Sequence, residues 1–353
     1  MQFFFILWPV FVWFFHSPAF LPADTFELWG HEMRIITFSR NVFLPLTNVC
    51  ANACGYCSFK APVAEGCVMP KEEVISILER GAAFSCTEAL FTFGERPERE
   101  IGFTKYINRI GYPDILSYCK DMSRYAISLG ILPHTNAGIL TYEELEELRH
   151  VNASMGLMLE TTADIPAHVN SPGKDPSIRI EMMENAGRLK IPFTTGLLLG
   201  IGEKREDRIE SLEVIRDLHK KYGHIQEVIV QNFCPKVGTD MASYLGASTE
   251  VIADTIRLAK EILPTDVGIQ IPPNLADASL MLDLGVTDLG GVSPVTVDYI
   301  NPEHPWPALD ALKDIARGYE VRERLCIYEK YCDPAWVSPE IFKLVSELAK
   351  KIY

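Results

Sequence analysis

A closed (β/α)8 barrel of the TIM type, an α/β fold, is what this sequence predicts, on three observations. Short β-rich runs alternate with longer amphipathic runs from residue 42 onward, and eight of the short runs can be counted. These runs are mostly continuous apolar stretches, as expected of strands covered on both faces. Strands joined by helices in this way pair in parallel through right-handed crossovers.

In chain order, strands are expected at 42–47, 88–93, 131–135, 153–159, 192–199, 227–231, 268–271 and 286–289. Helices are expected between them at 71–83, 113–129, 142–150, 176–189, 205–222, 249–262 and 274–284. Val74, Ile77 and Leu78, like Leu212, Ile215 and Leu218, recur at helical spacing. Thr141 before Glu143 and Glu144, and Ser248 before Glu250, mark helix starts. The stretches 95–111 and 164–175 read as loops that follow strands. Barrel chemistry gathers at the C-terminal ends of strands, so both loops are expected to cover the site. No linker, low-complexity tract or repeat divides residues 33–353, which read as one domain.

With 353 residues, 48% of them hydrophobic, the chain can bury a large core. A formal charge of −14 argues against a nucleic-acid surface, which needs a net basic face. The nine cysteines include one close triplet; the rest are scattered, which points to a reducing, cytoplasmic compartment rather than a disulfide framework. Cys86, Cys119, Cys234, Cys326 and Cys332 read as core or incidental residues. Residues 1–32 stand apart. Phe3 to Phe15 is almost wholly apolar, interrupted by Pro9, too short for a span of about twenty residues and without the basic start of a secretory signal. The expectation is a nonessential extension or an upstream start-site misassignment, with Met33 as the functional beginning; a membrane-surface anchor is the alternative.

The triplet is Cys50, Cys54 and Cys57, spaced C-x3-C-x2-C in one short loop after the first strand. Soft thiolates so close together suit an iron–sulfur cluster or zinc. Three protein ligands on a cluster leave one iron open to another molecule, whereas a closed structural site wants four. A zinc knuckle completed by Cys67 is the alternative. After the second strand, Gly94-Glu95 offers a carboxylate that can meet an ammonium group, or simply a strand-ending turn. Glu160 stops the fourth apolar run, where it can bind a ribose or amino group, cap a helix or pair with a surface cation. Arg179, on the next helix, can balance a carboxylate or lie on a solvated face.

Along the fifth strand, Gly196 and Gly200 let a flat ring approach the backbone and Leu198 can pack on it. The same element also reads as a glycine-rich turn with Glu203 favouring the following helix N-terminus. The stretch 287–307 is fixed by glycines and prolines into a loop after strand eight. There Asp288, Ser293, Thr296, Asp298, Asn301 and His304 offer polar groups to a hydroxyl-rich heterocyclic substrate, and Trp306 stacks on it or pins the loop. No residue stands out as the proton-transfer group.

The cysteine loop with Tyr56 before its last cysteine, Gly94-Glu95 and the element at 196–203 resembles the radical S-adenosylmethionine (radical SAM) superfamily. With the phrases at 41–50, 93–97, 231–236 and 290–307, the chain is similar over residues 33–353 to subunit 1 of deazaflavin synthase. Nothing in residues 1–32 belongs to that resemblance. It implies a radical SAM core with a 4Fe–4S cluster on Cys50, Cys54 and Cys57, and SAM held by Gly94, Glu95, Glu160, Arg179, Gly196, Leu198, Gly200 and Glu203. The implied reaction completes the chromophore of the deazaflavin coenzyme F-420. It converts an adduct of hydroxybenzyl and ribitylated uracil, releases ammonia and proceeds through a 5'-deoxyadenosyl radical. The implied partners are a second radical SAM subunit, stable or transient, and a one-electron reductant, with no nucleic acid and no membrane. Rival readings are the partner subunit itself, a menaquinone-pathway relative, and a noncatalytic iron–sulfur or zinc protein. Gly290-Gly-Val-Ser-Pro294 favours subunit 1 over the first two, which carry a different stretch there.

Overall fold

The computed structural model describes residues 34–353; the apolar stretch 1–32 and the expected start at Met33 lie outside the described residues. Nine strands form one parallel sheet: β1 (Ile35–Pro45), β2 (Glu88–Thr92), β3 (Leu132–Asn136), β4 (Ser154–Gly156), β5 (Phe193–Leu199), β6 (Ile225–Asn232), β7 (Gly268–Gln270), β8 (Asp288–Val292) and β9 (Glu320–Arg324). The first eight close into a barrel in chain order, so the expected fold class is borne out. Around it run α1 (Lys71–Ala83), α2 (Phe103–Arg109), α3 (Ile115–Ser128), α4 (Tyr142–Arg149), α5 (Pro176–Arg188), α6 (Arg205–Tyr222), α7 (Thr249–Ile262), the short α8 (Ala311–Ile315) and α9 (Pro339–Ile352).

Local sequence sets several of these boundaries. Thr141 and Glu144 form a reciprocal capping box at the start of α4, and the Ser248 hydroxyl accepts the Val251 N–H at the start of α7. The expected helix at 274–284 is instead two 3-10 turns, Ala278–Leu280 and Leu282–Leu284. Pro272 and Pro273 precede it, and the Asp277 carboxylate accepts from the Ser279 N–H and hydroxyl, competing with helical pairing. Four elements, α2, α8, β9 and α9, had no counterpart among the expected ones, and α2 lies within the stretch 95–111 that was expected to be loop. The strand β9 reads Glu-Val-Arg-Glu-Arg and buries little besides Arg324, so it presents no apolar run.

β1 is long enough to serve two partners. Its first half pairs with β9, from Ile35 opposite Glu320 to Ser39 opposite Arg324, and its second half pairs with β2, from Asn41 opposite Glu88 to Pro45 opposite Thr92. The strands also divide their faces. On β2, Ala89 and Phe91 are fully buried in the main core, while Glu88 and Leu90 face a cavity inside the barrel. On β6, Val228 and Val230 join the main core, and Glu227, Ile229 and Gln231 line the cavity. The core therefore lies between sheet and helices, worth about 1.5–3 kcal/mol for each large apolar side chain fully buried. The barrel interior keeps an open space of about 270 Å3.

The N-terminal end of the barrel is stoppered by the segment after β9. Leu325, Ile327, Tyr331, Val337, Ile341 and Val345 form a second apolar cluster. The Tyr331 hydroxyl donates to the Gly223 and Ile225 carbonyls, and Tyr353 donates to the Ile327 carbonyl. Above this stopper, Arg324 forms the floor. Its Nε and Nη2 meet Asp288 at 2.5 and 2.8 Å, and Nη2 reaches Glu227 at 2.9 Å. Burial pushes the Glu227 carboxyl up to about 7 against the opposing pull of Arg324.

One cation thus serves two buried carboxylates, and its removal strands both. Arg324→Met is expected to lower stability by about 3–5 kcal/mol in denaturant unfolding. Arg322→Ala, which breaks an exposed pair to Glu320, leaves the unfolding midpoint essentially unchanged.

Candidate active site: the cysteine loop and its chamber

The cysteine loop leaves β1 at the C-terminal end of the barrel and is clamped by three other segments. The Gly94 N–H donates to the Thr47 carbonyl and the Ala51 N–H to the Glu95 carbonyl, both at 2.8 Å. Gly94 is required by this approach, since a Cβ there would stand 2.0 Å from the Val49 oxygen. The Ala53 N–H reaches the Asn170 carbonyl, and the Gly55 N–H the Ala167 carbonyl, while the Met241 N–H donates to Gly55. Asn52 completes the clamp by accepting the Gly173 N–H at 2.9 Å.

Cys50, Cys54 and Cys57 are unbridged, half-buried and line one chamber of about 240 Å3. The Cys50 sulfur accepts from the Glu95 N–H at 3.2 Å and the Cys54 sulfur from the Ser171 hydroxyl at 3.3 Å. Burial raises both thiols, and the Lys174 ammonium pulls Cys54 back down. Three accessible sulfurs with donors aimed at two of them fit the ligand set of an iron–sulfur cluster. Zinc would need its donors gathered about one point. Cys67, the fourth ligand that a closed zinc site would need, is buried in the main core and does not line this chamber.

Glu160 is the hub of the chamber wall. Its carboxylate accepts from the Tyr56 hydroxyl and the Lys174 ammonium, meets His168 Nε2 at 3.2 Å and stands 3.7 Å from Arg179 Nη2. Burial alone would raise this carboxyl, but Lys174, His168 and Arg179 hold it well below the usual range. Arg179 is 3% exposed rather than on a solvated helix face, and its Nε and Nη1 are buried without a partner. Glu95 stands 3.9 Å from Arg179 Nη2 and sits in a glycine cradle. A Cβ on Gly173 would lie 1.3 Å from Glu95 Oε1, and one on Gly138 2.6 Å from its Cγ.

The fifth-strand element lies beside this wall. Gly196 is packed so tightly that a Cβ would meet the Ile229 oxygen at 2.4 Å. Leu198 joins Ile165, Ala167, Ile201, Phe233 and Met241 in a small apolar cluster with Tyr56 against it. Gly200 turns with φ +90, and the Glu203 carboxylate accepts the Gly200 and Ile201 N–H groups at 3.0 Å while pairing with Arg208 at 3.3 Å. Glu203 is therefore committed to holding its own turn.

The late-loop candidates separate. Asp298 and Asn301 line the barrel cavity, but the Asp298 oxygens already accept from Ile300, Asn301 and Asn274. Ser293 and Thr296 bond each other, with Thr296 also accepting the Phe43 N–H, and neither lines the cavity. Asp288 lies in the floor against Arg324. The His304 carbonyl accepts from Asn274, and its side chain does not line the cavity. Residues that the motifs passed over include Lys174, His168, Glu88, His134, Glu227 and Arg324. Lys174 alone carried a local signal, a cation after Pro172-Gly173 in a loop on the active face.

A carboxyl whose folded pKa is depressed adds stability above its unfolded pKa and loses it as pH falls. The stability gap between the wild-type chain and Glu160→Gln is therefore expected to be flat from about pH 8 to 5. Below about pH 4.3 it narrows by about 1.4 kcal/mol per unit, as measured by denaturant titration at each pH.

Comparison with known proteins accords with this geometry. The model of the radical SAM superfamily matches residues 44–215. The solved FeFe-hydrogenase maturase HydG from Carboxydothermus hydrogenoformans shares the fold with a TM-score of 0.62 at 18% identity, over 90% of this chain and 78% of that one. Methylornithine synthase does so at 0.55 and 18%, over 75% and 74%. Among curated relatives, the 7,8-didemethyl-8-hydroxy-5-deazariboflavin synthase of Methanoculleus marisnigri is 64% identical over 90% of this chain and 96% of its own length. The protein of that name from Archaeoglobus fulgidus is 49% identical over 89% and 97%. Likeness of that extent, on a barrel that gathers three cysteines at its mouth, makes this chain a member of the 7,8-didemethyl-8-hydroxy-5-deazariboflavin synthase family of radical SAM enzymes.

Proposed function

We propose that Cys50, Cys54 and Cys57 hold a 4Fe–4S cluster with one iron open to SAM, and that the barrel cavity below holds the substrate adduct. When bound, the reduced cluster and SAM together supply the 5'-deoxyadenosyl radical that takes a hydrogen atom from the adduct. The observation carrying this reading is that the two spaces adjoin. Asn136, Met158 and Ile300 line both the cysteine chamber and the barrel cavity, so a molecule in one faces a molecule in the other.

The chain's own residues then have distinct tasks. Glu95, in its glycine cradle, faces the ammonium end of SAM, and the unpartnered Nε and Nη1 of Arg179 face its carboxylate. Glu160 keeps Lys174, Tyr56 and Arg179 in place around them. The apolar cluster at Leu198, with Gly196 beneath, takes the adenine, and Glu203 fixes the turn that closes over it. The substrate is the 5-amino-5-(4-hydroxybenzyl)-6-(D-ribitylimino)-dihydrouracil adduct, delivered by a second radical SAM subunit. Its conversion to the deazaflavin removes ammonia and two hydrogens, one leaving as an atom to the nucleoside and the other as a proton and an electron. That electron would return to the cluster, so a one-electron donor is needed only to prime it.

Anaerobically reconstituted chain, supplied with the partner subunit, tyrosine, ribitylated uracil and SAM, is expected to form fluorescent deazaflavin together with 5'-deoxyadenosine. Nucleoside without deazaflavin would sink the substrate assignment; no nucleoside at all would sink the radical reading. Gly173→Ala tests the SAM contacts separately. Its Cβ displaces the Glu95 carboxylate, so SAM affinity falls by about tenfold or more while iron content stays at the wild-type level.

A further inference from the structure

The barrel cavity is not chemically uniform from mouth to floor. Its apolar lining includes Phe43, Leu90, Ile229, Pro272, Ile300 and Trp306, of which Ile300 also lines the cysteine chamber. Near Arg324 it is walled by hydrogen-bond acceptors. Glu88 is 6% exposed; one oxygen accepts from the Ser39 hydroxyl, and the other meets no donor among the described residues. Asn41, 1% exposed, has an amide oxygen with no partner.

His134 is fixed as an acceptor too. The Ser154 hydroxyl donates to the Cys326 carbonyl at 2.6 Å, so it can only accept from His134 Nδ1, 2.7 Å away. The proton therefore sits on Nδ1, and Nε2 presents a bare lone pair beside Gly156 on the cavity wall. Burial and the nearby Arg324 guanidinium push this imidazole down to about 3, so it stays neutral at physiological pH. Arg324, the floor's cation, already donates to Asp288, Glu227 and the Leu325 carbonyl.

Such a floor wants a ligand rich in donors and poor in charge. A polyol chain is that ligand. We propose that Glu88, His134 and Asn41 form the subsite for the ribityl chain of the substrate. Its hydroxyls donate to the free Glu88 oxygen and to His134 Nε2, and its ring system lies above, against the apolar wall and within reach of the cysteine chamber. The proposal rests on the deazaflavin reading and adds an orientation to it: polyol down, reacting rings up. The late loop is the competing place for the hydroxyls, but Asp298 accepts four donors already, from Ile300 and Asn301 backbone and from Asn274 and Asn301 side chains.

The test compares the ribityl substrate with an analogue carrying a plain pentyl chain, using full-length reconstituted enzyme matched in iron content and SAM affinity. His134→Phe, which removes the acceptor, is expected to raise KM for the ribityl substrate by about 10–100-fold, and His134→Gln to recover much of the loss. Glu88→Gln is expected to raise it in the same direction. Neither change should alter KM for the pentyl analogue, so the preference for the hydroxylated chain collapses. Equal losses for both substrates, or a wild-type enzyme that takes the pentyl analogue as well as the ribityl compound, overturns the subsite. Should His134→Phe fail to fold, Glu88→Gln decides. Wild-type enzyme that forms no deazaflavin from the ribityl substrate overturns the functional reading first, a result recognisable because no variant is needed to see it.

Discussion

The cysteine loop has no regular structure of its own, and its position depends on the charge cluster around Glu160. That residue adopts φ +68, a left-handed conformation that costs a non-glycine residue about 1–2 kcal/mol. The backbone is held there by pairing with β5, through Glu160 N–H to Gly196 and Leu198 N–H to Glu160. The side chain so placed gathers Tyr56 from the cysteine loop, His168 and Lys174 from the segment after β4, and Arg179 from α5. Three separate pieces of chain thus converge on one carboxylate. Buried ionic groups are often neutral for stability; here the cluster fixes where three sulfurs, a guanidinium and a second carboxylate stand relative to one another.

A different compromise governs the barrel interior. Packed side chains usually fill such a barrel in layers. This one lines its inner face with a mixture of polar, glycine and apolar residues around an open space, and packs its main core outside the sheet, against the helices. Cohesion comes from the outer core, and the inside is left available for a ligand. Closing the lower end then requires something other than a barrel strand, which is the role of β9, Arg324 and the cluster behind them.

Much of the fold was legible because it rests on local signals. Val74, Ile77 and Leu78 mark a helix by spacing alone, and Thr141 marks a helix start by its hydroxyl. The cysteine triplet was equally visible, since its ligands lie within eight residues of one another. Less legible were groups whose meaning depends on distant partners. Arg324 looks like one more charge in an exposed strand until Asp288 and Glu227 are brought to it across the barrel. His134 reads as an ordinary strand residue until Ser154 fixes its proton. Asp288, Ser293 and Thr296, by contrast, stood out as polar groups in a loop, yet their hydrogen bonds are used within the protein.

The pairing of β1 with β9 joins residues 35–39 to residues 320–324. Contacts of such long sequence separation form late, because loop-closure entropy must be met before they contribute. The segment that carries the cysteines and Glu160 can collapse around nearer neighbours, whereas the cavity floor exists only once both ends of the described chain have met. The floor of the cavity is thus held by the contact of longest sequence separation in the barrel. Loss of either end of that pairing would therefore open the cavity from below while leaving the backbone clamp of the cysteine loop in place.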